Sequence, residues 1–381
     1  MMSIKDRDQK ELVLQFCLSR DWFPHVEVDV YPTRQVSRRA SAQTDIDLLA
    51  LIPASLGGFN RHIFDCKTKA KESPINRVFW LHGLMNQLGV QTGTCLLKKD
   101  SIEIDHRLSA FDLGISLVDE SEFSEWAVSL GGLNTTGSTI YSFAENFDAW
   151  EDLLTSDRRN PALTSAVLFI RSGFWQVRDS AEAARKCIFL LKSIRGEIDP
   201  NKPEQIALAV YIATLFAIAS ASLAQRLFSI FVLPKSQTVF EEALRVSLYG
   251  GRDAYEQRNA IYKLLVKERG HEDPEALGVP GWEHFSRLIR QMMEAPIEAA
   301  YTAHILQELA FAMLKSIEKI DSPRAQKIST KNKRAAQYAL NLSSYLFKAT
   351  KLPPEIETAA SAMLLALIMG YPFSSKAPRD S

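Results

Sequence analysis

Cysteine is scarce in this chain: four residues in 381, at positions 17, 66, 95 and 187. None forms a C-x-x-C pair, so a disulfide framework is excluded, and neither a zinc site nor a redox motif is signalled. A cytoplasmic protein with reduced thiols is the expectation. An excess of either charge is also lacking, since 45 Lys and Arg balance 45 Asp and Glu. That rules out a global basic field of the histone kind and leaves any nucleic-acid face to be local. No phosphate-cradling G-x-x-x-x-G-K-[ST] occurs, so no ATP motor is visible. No repeat of fixed period occurs either, which removes a solenoid from consideration. The opening MMSIKDRDQKELVLQF is charged from Lys5 onward and has no apolar core, so no signal peptide is expected.

What is present is an ordinary globular composition, 46% hydrophobic and 24% charged, at a length that suits two or three domains. One long apolar run, Ile206 to Leu223 (IALAVYIATLFAIASASL), could cross a bilayer by length. It is rich in Ala and Ser, contains Tyr211 and Thr214, and is preceded by Glu204 and Gln205 rather than by basic residues. An all-round apolar helix belongs either in a membrane or at the centre of a helical domain, and these features point to the second.

Along the first hundred residues the hydrophobic period changes several times. Leu12, Val13, Phe16 and Cys17 recur at helical spacing within Lys5 to Ser19. His25 to Tyr31 (HVEVDVY) alternates apolar and polar, as a half-buried strand does. Val36 to Gln43 reads as a loop. Asp47 to Ile52 (DLLALI) is a short apolar run suited to a central strand, and Gly57-Gly58 lies in the turn that follows. His62 to Lys67 (HIFDCK) is a further strand. Ser73-Pro74 then opens a helix to about Leu88, with Ile75, Val78, Phe79, Leu81 and Leu84 facing inward and Gly89 ending it. Gln91 to Lys98 (QTGTCLLK) completes an α-β-β-β-α-β order. After a mixed region, helices are expected over Asp179–Ile194, Pro203–Phe231, Gln237–Leu248, Ala254–Lys267, Trp282–Met293, Ile297–Ile320, Lys331–Lys348 and Pro354–Met369. The fold class is therefore α+β: an N-terminal domain with a mixed central sheet, then a mostly helical region. The expected segments are 1–108, a mixed and mostly helical 109–200, and an all-helical 201–381.

Within the first segment, acidic residues stand where the apolar pattern alone would not put them. Asp65 and Lys67 are two apart on one strand, so both project from the same face of the sheet. If the two strands pair, Asp47 can face Asp65 across the ladder. Two carboxylates at that separation repel unless a cation lies between them, and a hard divalent ion suits such an oxygen site. Bound there, Mg²⁺ or Mn²⁺ could polarise a phosphate and activate water, with Lys67 orienting the water and offsetting developing charge. Glu11, on the first helix, is available as an outer or additional ligand.

This arrangement resembles the PD-(D/E)XK nuclease superfamily, in particular its Mrr-like and Holliday-junction-resolvase-like branches, over about Lys5 to Lys99. The resemblance is carried by Glu11 in QKELVLQFCLSRDW, Asp47 in TDIDLLAL, Asp65 and Lys67 in IFDCKTK, and the segments SPINRVFWLHGLMNQLG and VQTGTCLL. It implies a restriction-endonuclease-like fold that hydrolyses DNA phosphodiester bonds. Asp47 and Asp65 would bind metal, Lys67 would be the catalytic lysine, and Glu11 the acid of the first helix. The literal PD is absent, so Asp45 is the alternative to Asp47, which is preferred because the apolar strand starts directly after it. Asp65 stands where many relatives carry Glu. Gln87 resembles a supporting glutamine of the superfamily.

Arg34, Arg38 and Arg39 precede the Asp47 strand, and Lys69 and Lys71 follow Lys67, which makes them candidates for holding a DNA backbone. Arg324, Lys327, Lys331, Lys333 and Arg334 read as a solvated interhelical loop. His271, His284 and His304 show no ligand spacing and read as structural or surface residues. Trp22, Trp80 and Trp175 are expected to pack cores. The helical region would serve substrate selection, homodimerisation or a protein partner, and restriction or anti-phage defence is the setting the resemblance implies. Two alternatives stand beside this reading: an inactive nuclease fold that binds nucleic acid or a protein, and a membrane-associated regulatory protein.

Overall fold

The computed structural model describes residues 6–32, 41–68, 73–98, 102–133, 148, 150–154, 161–269, 275–314 and 322–370. The protein is α+β, with a five-stranded mixed sheet in its N-terminal part and a mostly helical C-terminal region. It divides into two compact units: residues 1–54, 59–151 and 171–178 in one, and residues 55–58, 152–170 and 179–381 in the other.

In the first unit, helix α1 (Arg7–Ser19) precedes strands β1 (Phe23–Val30), β2 (Thr44–Pro53) and β3 (Phe59–Lys67), which form an antiparallel meander. Helix α2 (Pro74–Leu88) carries the chain over to β4 (Thr92–Leu97), parallel to β3. Helix α3 (Ile104–Asp112) leads to β5 (Ile115–Asp119), parallel to β4, and helix α4 (Phe123–Ser129) follows. The sheet order is β1-β2-β3-β4-β5. Antiparallel neighbours need only a turn between them, whereas each parallel neighbour needs a crossover, here supplied by α2 and α3. Strand β2, inside the sheet between β1 and β3, is buried without a break from Ile46 to Leu51, as its apolar run predicts. Gly89 ends α2 in the left-handed conformation (φ 67°), a C-terminal position that favours glycine. Gly93 on β4 lies where a Cβ would meet Met85 Sδ at 2.9 Å, so its missing side chain lets α2 close on the sheet.

Two features of this unit differ from the sequence reading. Strand β5 was not anticipated; its five residues are too few to establish a period inside a region of mixed pattern. Phe79 on α2 is 59% exposed rather than inward, because α2 buries the stripe Val78, Leu81, Leu84, Met85 and Leu88, and Phe79 lies off it.

The second unit contains α5 (Thr164–Leu168), α6 (Ser180–Ile194), α7 (Pro203–Phe231), α8 (Gln237–Leu248), α9 (Arg252–Glu268), α10 (Trp282–Met293), α11 (Pro296–Leu314), α12 (Pro323–Lys331), α13 (Lys333–Thr350) and α14 (Pro354–Met369). The Asp179 carboxylate caps α6 by accepting from the amides of Ala181 and Glu182. At the centre lies α7, long and apolar enough to cross a membrane, with 94% of its most apolar window buried inside the protein. It packs most extensively against α11, and small residues such as Ala213, Ala217 and Ala221 allow two backbones to approach closely. Thr214 satisfies its buried hydroxyl by donating to the Val210 carbonyl at 3.1 Å.

The basic stretch from Arg324 to Arg334 is not a loop. It forms α12 and the first turn of α13, and Arg324 is buried, paired with Glu308 at 2.7 Å. A buried guanidinium is stable only with such a partner. His304 is wholly buried and His284 is exposed, while His271 lies outside the described residues. Trp175 is buried in the first unit, and Trp22 and Trp80 are half-buried there.

Candidate active site

Three carboxylates stand level with one another on neighbouring strands. The β1–β2 ladder pairs Val26 with Leu48 and Val28 with Ile46, which leaves Glu27 opposite Asp47. The β2–β3 ladder runs as far as Leu48 and Phe64, and the next position brings Asp47 level with Asp65. There the Cys66 amide donates to Asp47 Oδ2 at 2.8 Å, so a side chain takes the place of a ladder bond. Glu27 has φ 58°, the left-handed conformation that side chains rarely adopt.

Cations alternate with these acids. Lys10 of α1 bridges Glu27 and Asp47, its Nζ lying 2.9 Å from Asp47 Oδ1. Lys67 of β3 reaches Asp47 Oδ2 at 3.1 Å and Asp65 Oδ1 at 3.3 Å, and also donates to the Cys66 carbonyl at 2.9 Å. Arg77 of α2 grips Asp65 with two nitrogens, Nε donating to Oδ2 at 2.9 Å and Nη2 to Oδ1. Its guanidinium carbon lies 3.9 Å from the centre of the Trp80 ring, a cation–π contact that fixes the fork. The cluster therefore runs Glu27, Lys10, Asp47, Lys67, Asp65, Arg77, with three charges of each sign.

Burial makes this arrangement sensitive to its electrostatics. Asp47 and Asp65 are 3% and 2% exposed. Burial by itself would raise the Asp47 carboxyl, but Lys10, Lys67 and the Cys66 amide outweigh it and hold the group below the usual carboxylate range. For Asp65 burial prevails, and its carboxyl is raised despite Arg77 and Lys67. Glu27 is raised by burial too. Burial works against the charged form of Lys10 and Lys67, yet the neighbouring carboxylates keep both ammonium groups protonated, with raised pKa values.

The predicted residues divide accordingly. Asp47, Asp65 and Lys67 are brought together. Asp45 is exposed and opposite Asp29 in the ladder, so of the two aspartates Asp47 is the one that joins the cluster. Glu11 pairs with Arg7 at 2.8 Å and is not part of the cluster. Gln87 donates to Gln43 Oε1 at 3.3 Å, outside the cluster as well. Arg34, Arg38, Arg39, Lys69 and Lys71 lie outside the described residues.

Three members escaped the sequence reading, and two had left a signal. Lys10 shares a face with Val13, Leu14 and Cys17 at i, i+3, i+4 and i+7, and Arg77 shares one with Leu81, Leu84 and Leu88. A cation on an apolar stripe needs a buried partner. Glu27 had no such mark.

Among the described residues, no group of three or more His, Cys, Asp or Glu is placed to hold a metal ion. Magnesium does not require one, since it is commonly held by one or two carboxylates, with water and substrate phosphate completing its shell. Asp47 and Asp65 are hard oxygen donors that already share one cation, the Lys67 ammonium, and in kind they fit such an ion. All four of their oxygens accept from Lys10, Lys67, Arg77 or the Cys66 amide, so an ion would enter by exchange with these contacts. Comparison with known protein families, curated proteins and solved structures finds no match to this chain.

Proposed function

We propose that the first unit is a metal-dependent phosphodiesterase of the PD-(D/E)XK kind, acting on DNA in the cytoplasm, with Asp47, Asp65 and Lys67 at its centre. The observation that carries this reading is the sharing of Lys67 Nζ between Asp47 on one strand and Asp65 on the next. The order of α1, β1 to β3, α2 and β4 agrees with it. Asp47 and Asp65 would hold Mg²⁺ or Mn²⁺, which supplies Lewis-acid polarisation of the scissile phosphate and a more acidic water.

The chain's own residues do the rest. Asp47, kept ionised by Lys10 and Lys67, presents a full negative charge near neutral pH. Lys67, partly accessible where the two aspartates are not, is placed to donate to a phosphate oxygen and offset charge as it develops. Arg77 orients the Asp65 carboxylate from the far side.

A second reading has its own observation. Three acids and three cations neutralise one another completely, which is also how a nuclease-like fold used only for binding would settle a former metal site. Incubating the protein with plasmid, single-stranded DNA and RNA, in Mg²⁺, Mn²⁺ or chelator, separates the two. The first reading requires DNA cleavage that depends on metal and is lost in Asp65→Ala, Asp65→Asn and Lys67→Ala variants that keep the native circular dichroism. Binding without cleavage, unaffected by chelator, would establish the second.

A further inference from the structure

The helical unit contains a cavity of about 530 Å³ between α10 and α13. This volume lies within the roughly 300–1,000 Å³ range usual for small-molecule clefts. Each helix contributes a single stripe: His284, Arg287, Leu288 and Gln291 recur at i, i+3, i+4 and i+7 on α10, and α13 answers from Asn341 to Ala349.

The lining has a definite charge. Arg287, Lys348 and Lys351 border the cavity, and among the described residues no acidic residue does, although the chain as a whole is neutral. Lys348 is paired with Glu357 at 3.0 Å, whereas Arg287 and Lys351 take part in no ion pair among the described residues. Unneutralised cations in a concave site concentrate the local field and attract an anion.

Lys351 adds an independent sign. It terminates α13 with φ 58°, a left-handed position that glycine or asparagine ordinarily fills. A lysine holds that position here, and it borders the cavity. Gly281, also in the lining, opens α10 in the left-handed conformation with no side-chain cap, and its carbonyl accepts from the His284 and Phe285 amides at 3.0 Å.

The remaining walls suit a flat body attached to that anion. Leu288 and Tyr345 are buried and form an apolar floor. The Tyr345 ring is fixed by Phe216 and Phe285, and its hydroxyl donates to the Pro280 carbonyl at 2.8 Å. Gln291 and Asn341 contribute side-chain amides, which donate and accept as the edges of a nucleobase do, and the Asn341 Oδ1 also accepts from Gln337 at 2.8 Å.

We infer that this cavity binds a nucleotide-sized phosphate ester, with Arg287 and Lys351 on the phosphate and the Leu288–Tyr345 floor beneath the base. The inference does not depend on the nuclease reading. A concave site with an apolar floor suits a small molecule, and a nucleic-acid backbone is the competing occupant that the test must separate.

Calorimetric titration of the full chain with AMP, ATP, adenosine, inorganic phosphate and a dT oligonucleotide decides it. Saturable binding of AMP or ATP is expected, weakened at least about tenfold in Arg287→Ala and in Lys351→Ala, since each removes a charge-assisted hydrogen bond. Lys351→Gly, which relieves the left-handed strain, should keep its melting temperature and still lose affinity. Any of three results would overturn the inference: no binding of either nucleotide, phosphate binding as tightly as AMP, or binding of the oligonucleotide alone.

Discussion

A single ammonium group decides the state of the candidate site at the scale of the residue. Lys10 is 1% exposed and stands between Glu27 and Asp47. Removing one partner of a buried ion pair leaves an uncompensated charge, typically at a cost of about 3–5 kcal/mol. Lys10→Met should therefore lower the unfolding free energy by about 3 kcal/mol in a urea titration, with Asp47 losing the larger of its two cationic supports. Restoring stability by Lys10→Met with Glu27→Gln would tie the loss to that pair, and an unchanged midpoint in Lys10→Met would contradict the placement. Asp65 and Lys67 were legible in the sequence because a period of two puts residues i and i+2 on one face whatever else the chain does. Glu27 was not, and Lys10 and Arg77 show only as cations on apolar stripes, because their roles depend on which helix lies over which strand, and that is settled by packing between residues 17 and 12 positions apart.

At the scale of the element, the sheet buries two histidines as neutral rings. His62 on β3 lies between Thr92 and Thr94 of β4 at 2.7 and 3.0 Å, and His25 on β1 is enclosed by Trp150 and Trp175. Burial holds both down to a pKa of about 3. As pH falls below about 6.5 the unfolded chain takes up protons that the folded one refuses, so stability is full above that value and declines towards pH 3. Asp47, depressed in the fold, acts in the same sense at lower pH, while the raised Asp65 and Glu27 act against it. Between pH 7 and pH 5 each ring should cost the folded state about 2 kcal/mol in denaturant titrations, and one such contribution should be absent in His62→Gln, which keeps hydrogen-bonding partners for both threonines. A stability independent of pH over that interval would contradict the burial of these rings. The long periodic elements were the readable ones: Pro203–Phe231, Gln237–Leu248 and Trp282–Met293 have the bounds the sequence predicts. Short β5 and α12 were hidden, the first by its length and the second because a run of cations resembles a solvated loop until Glu308 is seen beneath Arg324.

For the whole molecule, the central claim is that one row of charges across β1, β2 and β3 is a catalytic centre. The buried α7 gives the second unit its core, and the α10–α13 cavity gives it a place for a ligand, but neither bears on that claim. The direct test is the rate of plasmid cleavage at saturating Mg²⁺ for the native protein and for Lys67→Met, which keeps the length and the apolar stem of the side chain. The account predicts metal-dependent cleavage by the native chain and a loss of about a hundredfold or more in the variant, with the melting temperature within a few degrees of native. Cleavage by Lys67→Met at the native rate, or none by the native protein on any nucleic acid with Mg²⁺ or Mn²⁺, would contradict it.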